Sequence, residues 1–320
     1  MYEVKSDTVL ATTQGFRHEA IFYSGEADFV ARTGSFIEAG VHANEVVLVV
    51  VSAEKIELLK GSLGAEAAQV VFADMSEVGQ NPARIIPAWR EFVSDHVAQG
   101  RTARGVGEPI WAARSQDELV ECERHEALLN LAFDGPSPSW WLACPYDVSD
   151  LAPAVIEVAR RNHPFLTQGT RSAKNASFPG AVAAVEASGT QLPAPEHVLH
   201  TTRFEQDDLA DVRALVTRAA ASFGLTPARQ RDLVVAVSEV ATNSIRHAGG
   251  DGTLLIWERG DSLICDVRDR GAPLDPLIGR ARPDKDQTSG YGMWLVNQLC
   301  DVVQIRTLDG ISVVRLHMAR

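Results

Sequence analysis

The first half of the chain alternates short apolar runs with amphipathic stretches. Ala20–Tyr23 (AIFY), Glu45–Val51 (EVVLVVV) and Ala68–Ala73 (AQVVFA) read as strands, and the second is so continuously β-branched that it predicts a strand buried on both faces. Glu26–Ala39 carries Phe29, Val30, Phe36 and Ile37 at helical spacing, and Ala53–Leu59 reads as a helix. Pro82–Ala98 sets Ile85, Ile86, Trp89, Phe92 and Val93 on one side, with a proline at its start. Thr102–Val106 and Ser139–Cys144 read as further strands, Gln116–Phe133 and Leu151–Arg161 as further helices. This alternation predicts a three-layer domain with a mainly parallel sheet between helices.

The rhythm then breaks. Thr167–Pro195 holds Gly, Ser, Ala, Thr and Pro without sustained periodicity, which is linker composition. The chain therefore divides into residues 1–165, a linker over 166–196, and a second domain over 197–320. In that domain Val198–Phe204 reads as an edge strand, Asp207–Phe223 as a helix ending at Gly224, and Ala228–His247 as a long helix behind Thr226-Pro227. Gly252–Glu258 with Ser262–Arg268, and Val302–Thr307 with Ile311–Met318, read as hairpins, with a helix over Tyr291–Leu299 between them. The expected architecture is a two-layer α/β sandwich, helices on one face of a mixed sheet.

Composition narrows the function. Of 320 residues 45% are hydrophobic and 22% charged, ordinary globular values, so enough apolar material exists for two cores. The formal net charge of -12 argues against direct binding to nucleic acid or an anionic membrane surface. The longest apolar run, Val46–Val51, is far short of the ~20 residues that span a bilayer. The first ten residues show no basic segment leading into an apolar one, so no signal peptide is expected. Four cysteines without a CxxC pair fit a reducing cytoplasm better than a disulfide scaffold.

Three features of the second half carry chemistry. Glu239 and Asn243 are four residues apart and share one face of the long helix. A carboxylate beside a carboxamide suits metal–phosphate chemistry, although a solvated helix face produces the same pair. Asp269-Arg270-Gly271 follows a strand directly; its carboxylate can accept from an exocyclic amine, and an ordinary turn would look the same. Gly290-Tyr291-Gly292 opens an amphipathic helix after the polar loop Pro283–Ser289, and free N–H groups at such an N-terminus favour an anion.

Their order is more specific than any one of them. SEVATNSIRHA (Ser238–Ala248), VRDRG (Val267–Gly271) and GYGMWLVNQLCD (Gly290–Asp301) resemble the N, G1 and G2 boxes of the GHKL ATPase superfamily, and most nearly its bacterial anti-sigma factor serine-protein kinases. The resemblance runs over His197–Arg320 and implies the GHKL, or Bergerat, ATPase fold with ATP and Mg2+ as ligands. It implies that Glu239 is the catalytic base and that Asn243 holds Mg2+ against the phosphates. It also implies that Asp269 takes the adenine amine, Gly271 clears space for the ring, and Gly290 and Gly292 let a lid close. Arg246 and His247, one turn beyond Asn243, either touch phosphate or only finish the helix. Gly271-Ala272-Pro273 departs from the family pattern, in which a second glycine is common, and the lid is short.

In the first half HEAIFYSGEADFV (His18–Val30), GVGEPIW (Gly105–Trp111), CERHEALLN (Cys122–Asn130) and CPYD (Cys144–Asp147) resemble the MEDS sensory domain of bacterial regulators, over Gly15–Pro164. That resemblance implies a degenerate RecA-like fold. No GxxxxGK[ST] is present, so a phosphate-cradling loop is not expected. His18, Glu108, Cys122 and Tyr146 are the candidate contacts for an unknown sensor ligand. Cys122 and His125 at i, i+3, with Cys144 and His18, could offer four metal donors, although buried cysteines acting as small apolar side chains are the simpler reading.

Together the two resemblances imply a cytoplasmic transcription regulator of the stress-response kind. It binds an alternative sigma factor and uses Mg·ATP to phosphorylate a serine of a STAS-type anti-sigma-factor antagonist, under control of its sensor half. The alternative is a catalytically silent binding module that sequesters either partner. His197 and His200 raise histidine autophosphorylation, but the segment around them lacks the heptads of a dimerising helix hairpin. A homodimer is left open.

Overall fold

The computed structural model describes residues 15–97, 100–135, 139–168, 171–195, 197–283 and 290–320. β1 (Phe16–Tyr23) leads through Ser24 into α1 (Gly25–His42). β2 (Val46–Val51) and α2 (Ala53–Leu63) follow, with the Ser52 side chain accepting the Lys55 N–H as an N-cap. Then come β3 (Val70–Asp74), the single turn α3 (Met75–Val78), α4 (Ile85–Val97), β4 (Ala103–Gly107) and α5 (Gln116–Ala132). α5 starts from a reciprocal capping box of Ser115 and Glu118. β5 (Trp140–Asp147) and α6 (Pro153–Asn162) complete the alternation read from the sequence.

The sheet runs β3-β2-β4-β5-β1 with every neighbouring pair parallel, as the alternation predicts. All six residues of β2 are buried. One core lies between the sheet and α4, α5 and α6, around Trp89, Leu128, Leu142 and Ile156. The other packs α1 and α2 on the opposite face, around Phe29, Ile37, Val49 and Leu59.

The segment over 166–196 differs from the linker expected there. β6 (Phe165–Gln168) pairs parallel with β1, and β7 (Arg171–Lys174) folds back antiparallel on β6, extending the sheet to seven strands. α7 (Ala181–Ala187) adds Ala184 and Val185 to the first core. Strands of four residues and a one-face helix of Ala and Val carry too little periodicity to register in a sequence, and their order comes from a preformed sheet edge and α5. Only the stretch after α7 is extended, and its carbonyls at Thr190 and Pro193 accept from Arg306 and Arg315 of the second domain.

That domain comprises β8 (His200–Phe204), α8 (Leu209–Phe223), α9 (Pro227–His247), β9 (Gly252–Arg259), β10 (Ser262–Asp269), α10 (Tyr291–Leu299), β11 (Val302–Leu308) and β12 (Ile311–Ala319). Its sheet order is β11-β12-β10-β9-β8, and every neighbouring pair is antiparallel, so the sheet is not mixed. Two hairpins and the returning helices bring each neighbouring strand back in reverse, with no parallel crossover between neighbours. The expected two-layer sandwich is otherwise present. Val212, Val237, Val240, Leu263, Cys265, Val296 and Leu316 fill the core between helices and sheet, and Cys300 joins it. His200 sits exposed at the start of an edge strand, with no helix hairpin around it.

The outer face of this sheet is polar yet buried: Asp266, Gln304, Arg306, Arg315 and His317 are all at most 5% exposed. The first domain and the extended stretch after α7 cover it. Arg315 donates to Asp266 through Nε (2.7 Å) and Nη2 (3.1 Å), so the charge pair satisfies itself. His317 contacts Gln304 Oε1 through Nε2 at 3.1 Å, and burial pushes its pKa down to about 4; Asp117 opposes the shift, while Arg259 and Arg315 add to it. The unfolded chain, with an imidazole near pH 6.5, takes up this proton first. Stability conferred by neutral His317 is therefore present above about pH 6.5 and lost as the pH falls toward 4. In urea unfolding at stepped pH, His317→Gln should lower the slope of stability in that window by up to ~1.4 kcal/mol per pH unit, the value for one proton.

Candidate functional site

α9 starts at Thr226, which accepts the Arg229 N–H, and buries Leu233, Ala236, Val237, Val240 and Ala241 toward the sheet. The same periodicity leaves Glu239 and Asn243 half-buried on the side facing α10. α10 begins at Gly290, whose φ of 94° is a left-handed conformation that glycine adopts freely. Gly292 lies against α9: a Cβ there would come within 2.8 Å of Glu239 Oε2 and 3.6 Å of Asn243 Nδ2. A side chain at position 292 would therefore close the gap between the two helices.

Asn243, His247, Asp269, Gly271, Gly290 and Gly292 line one cavity of about 370 Å³, with Val240, Ala248, Leu274, Ile278 and Met293 as its apolar wall. This volume is in the range of small-molecule sites, and the wall is mostly apolar with a few convergent polar groups. Asp269 is held at both oxygens: Ser244 Oγ donates to Oδ2 at 2.6 Å, and the Gly271 N–H donates to Oδ1 at 3.0 Å. The carboxylate thus stands fixed at the end of β10, ready to accept one further donor.

A Cβ on Gly271 would meet Ala248 Cβ at 2.9 Å, so the glycine that lines the cavity also permits close packing on the end of α9. Arg246 is exposed and does not line the cavity, whereas His247 does. Glu239 reaches the site beside Gly292 without lining the cavity itself. The lid falls largely on 284–289, outside the described residues. Ser244 escaped the sequence reading, since its role depends on Asp269, 25 residues away.

The four sensor candidates do not form one site. Glu108 lies buried at the end of β4, where Tyr23 Oη donates to it at 2.5 Å and Lys55 Nζ lies 2.7 Å from both its oxygens. Burial pushes its carboxyl up, with Lys55 opposing. Cys122 donates its thiol to the Pro109 carbonyl at 3.3 Å. Cys122 and Tyr146 share the core on the α4, α5 and α6 side of the sheet, and His18 and Tyr146 each lie near His163, with ring centroids at 4.1 Å and 5.6 Å.

The domains meet through α5 and α10. Glu121 on α5 accepts from Arg306 Nη2 at 2.7 Å and lies 3.7 Å from Arg280, all three side chains being buried. Asn81 Nδ2 donates to the carbonyls of Asn297 (3.0 Å) and Cys300 (3.2 Å), and Arg84 donates to those of Asn297 (2.9 Å) and Gln298. The first domain thus supplies the partners that the last turn of α10 cannot find within its own helix.

Comparison with known proteins gives one family match in each half of the chain. Residues 17–164 match the MEDS family model, the MEthanogen/methylotroph, DcmR Sensory domain. Residues 202–318 match the histidine kinase-like ATPase domain. The chain is similar to the serine-protein kinase RsbW of Bacillus velezensis, 26% identical over 125 residues that cover 34% of this chain and 77% of the relative. The RsbW of Bacillus pumilus is 28% identical over 120 residues, covering 32% and 73% respectively. That of Bacillus licheniformis is 26% identical over 118 residues, covering 32% and 72%. Among the described residues no helix is long and apolar enough to cross a membrane. The chain therefore joins an N-terminal region that matches the MEDS domain to a C-terminal region that matches a GHKL-like, histidine kinase-like ATPase domain and is similar to RsbW serine-protein kinases.

Proposed function

We propose that the chain is an anti-sigma regulator whose C-terminal domain binds Mg·ATP and transfers its terminal phosphoryl group to a serine of a STAS-type antagonist. The same domain would bind an alternative sigma factor, and the MEDS domain would bias the choice between partners. The observation that carries this reading is the convergence of Asn243, Asp269, Gly290 and Gly292 on one cavity, with Glu239 beside Gly292.

The residues divide the work by chemistry. Asp269, oriented by Ser244 and the Gly271 N–H, accepts from the exocyclic amine of adenine. The apolar wall of Leu274, Ile278 and Met293 takes the ring faces. The free N–H groups behind Gly290 favour the phosphates, with the helix dipole of α10 in support. The Asn243 amide oxygen suits Mg2+, which when bound neutralises charge on the phosphates. Glu239 accepts the proton of the serine hydroxyl as it attacks.

The polar interface supports coupling to the sensor half, because Glu121 holds Arg280 and Arg306, which line a neighbouring cavity together with Leu274 and Ile278. The test is phosphoryl transfer from labelled Mg·ATP to STAS-domain proteins by the full chain. Glu239→Gln should keep nucleotide binding and lower transfer by roughly 100-fold or more, the usual loss of a general base. Equal transfer by both chains would remove Glu239 from the chemistry, and nucleotide binding without transfer by the wild type would favour the silent binding module.

A further inference from the structure

In the core of the MEDS domain, β1, β5, α5 and the residue after α6 bring together His18, Cys144, Glu126 and His163. One potential ligand atom from each lies within 4.8 Å of all the others. Each side chain is at most 1% exposed. His18 Nε2 is 3.0 Å from Glu126 Oε2 and 3.3 Å from Cys144 Sγ, and His163 Nε2 is 3.2 Å from the same Glu126 oxygen.

The surrounding hydrogen bonds fix which ring nitrogens carry protons. Asn130 Nδ2 donates to two carbonyls, those of Glu126 (3.2 Å) and Asn162 (2.8 Å), which places its Oδ1 toward His18. That oxygen only accepts, so His18 Nδ1, at 3.1 Å, holds the proton, and Nε2 presents a lone pair. His163 Nδ1, 2.7 Å from the Ala159 carbonyl, holds its proton for the same reason, and its Nε2 is likewise bare. Two imidazole lone pairs therefore face a carboxylate. The Cys144 thiol brings one proton for three acceptors, and Glu126 Oε1 and His163 Nε2 have no hydrogen-bond partner.

Buried acceptors aimed at one another repel unless a cation lies between them. From this convergence of lone pairs we infer that His18, Glu126, Cys144 and His163 form a site for a first-row divalent transition metal of borderline softness, such as Zn2+.

The donor set suits that ion. Two imidazoles, one thiolate and one carboxylate make four N, S and O ligands, and Zn2+ takes four in a tetrahedron. Bonds of ~2.0–2.3 Å put tetrahedral ligands roughly 3.3–3.8 Å apart, close to the spacings seen. The charges also close: with Cys144 giving its proton to water as the sulfur binds, Zn2+, one thiolate and one carboxylate sum to zero within an apolar core. Asn130 and the Ala159 carbonyl act as the outer partners that fix each ligating histidine. Cys122 and His125, the i, i+3 pair that the sequence suggested, lie outside this set; Glu126 and His163 replace them.

Elemental analysis of the full chain as purified, and Co2+ titration after chelation, test this site independently of any kinase activity. One ion per chain is expected, with a thiolate-to-cobalt charge-transfer band that Zn2+ abolishes by displacement. Cys144→Ser should lose the band, Cys122→Ala should keep it, and Asn130→Ala should weaken Zn2+ binding by roughly 10- to 100-fold. Absence of an ion both as purified and after Co2+ addition would overturn the proposal, as would a band that survives Cys144→Ser. Neither the elemental analysis nor the wild-type titration depends on a variant that folds.

Discussion

Asn243→Ala should weaken Mg·ATP binding by roughly 10- to 100-fold, the loss expected when one polar contact to a charged group disappears. Isothermal calorimetry on the full chain measures it. Asn243 is half-buried, lines the cavity and is not part of the apolar core, so thermal unfolding should move little. That pairing of outcomes matters, because a residue of the core would lose both together. An unchanged affinity would mean that the cavity between α9 and α10 is not the nucleotide site, and the assignment of Glu239 would fall with it.

Glu121→Ala should lower stability by about 3–5 kcal/mol, the usual cost of stranding a buried charge. The substitution leaves the Arg306 guanidinium beside only the carbonyls of Thr190 and Ile305, and it removes the nearest carboxylate from Arg280. Burial already pushes Arg280 down to about 10, with Glu121 opposing that shift and Arg124 and Arg306 adding to it. Removing Glu121 therefore strands two buried cations at the junction of the domains. Urea unfolding of the full chain checks this, and Glu121→Gln, which keeps an oxygen for Arg306, should cost less. A loss below about 1 kcal/mol would show that water reaches these arginines and that the junction is loose.

What could be read from the sequence follows the range of the interactions. Glu239 and Asn243 were legible because residues four apart on a helix share a face, and β2 was legible because six apolar residues in a row, five of them valine, have few other fates. The short elements β6, β7 and α7 were not, since the existing sheet edge and α5 order them from outside. The antiparallel order of the second sheet depends on how strands close around the helices, which no local pattern records. Ser244 and His163 were missed for the same reason: each finds its partner, Asp269 or Glu126, far along the chain. The packing of Gly271 on Ala248 could not be read either, because Ala248 belongs to another element.

The hydrogen bonds that Asn81 and Arg84 make to the end of α10 bear on how the ATPase-like half can be studied. One terminus of that nine-residue helix lies at the cavity, and the other is gripped by a different domain. An excised module would keep every residue of its pocket while leaving those carbonyls to solvent and Arg306 without its counterion. Its behaviour would describe a rod freed at one end, so the intact chain is the proper reference for every affinity and rate.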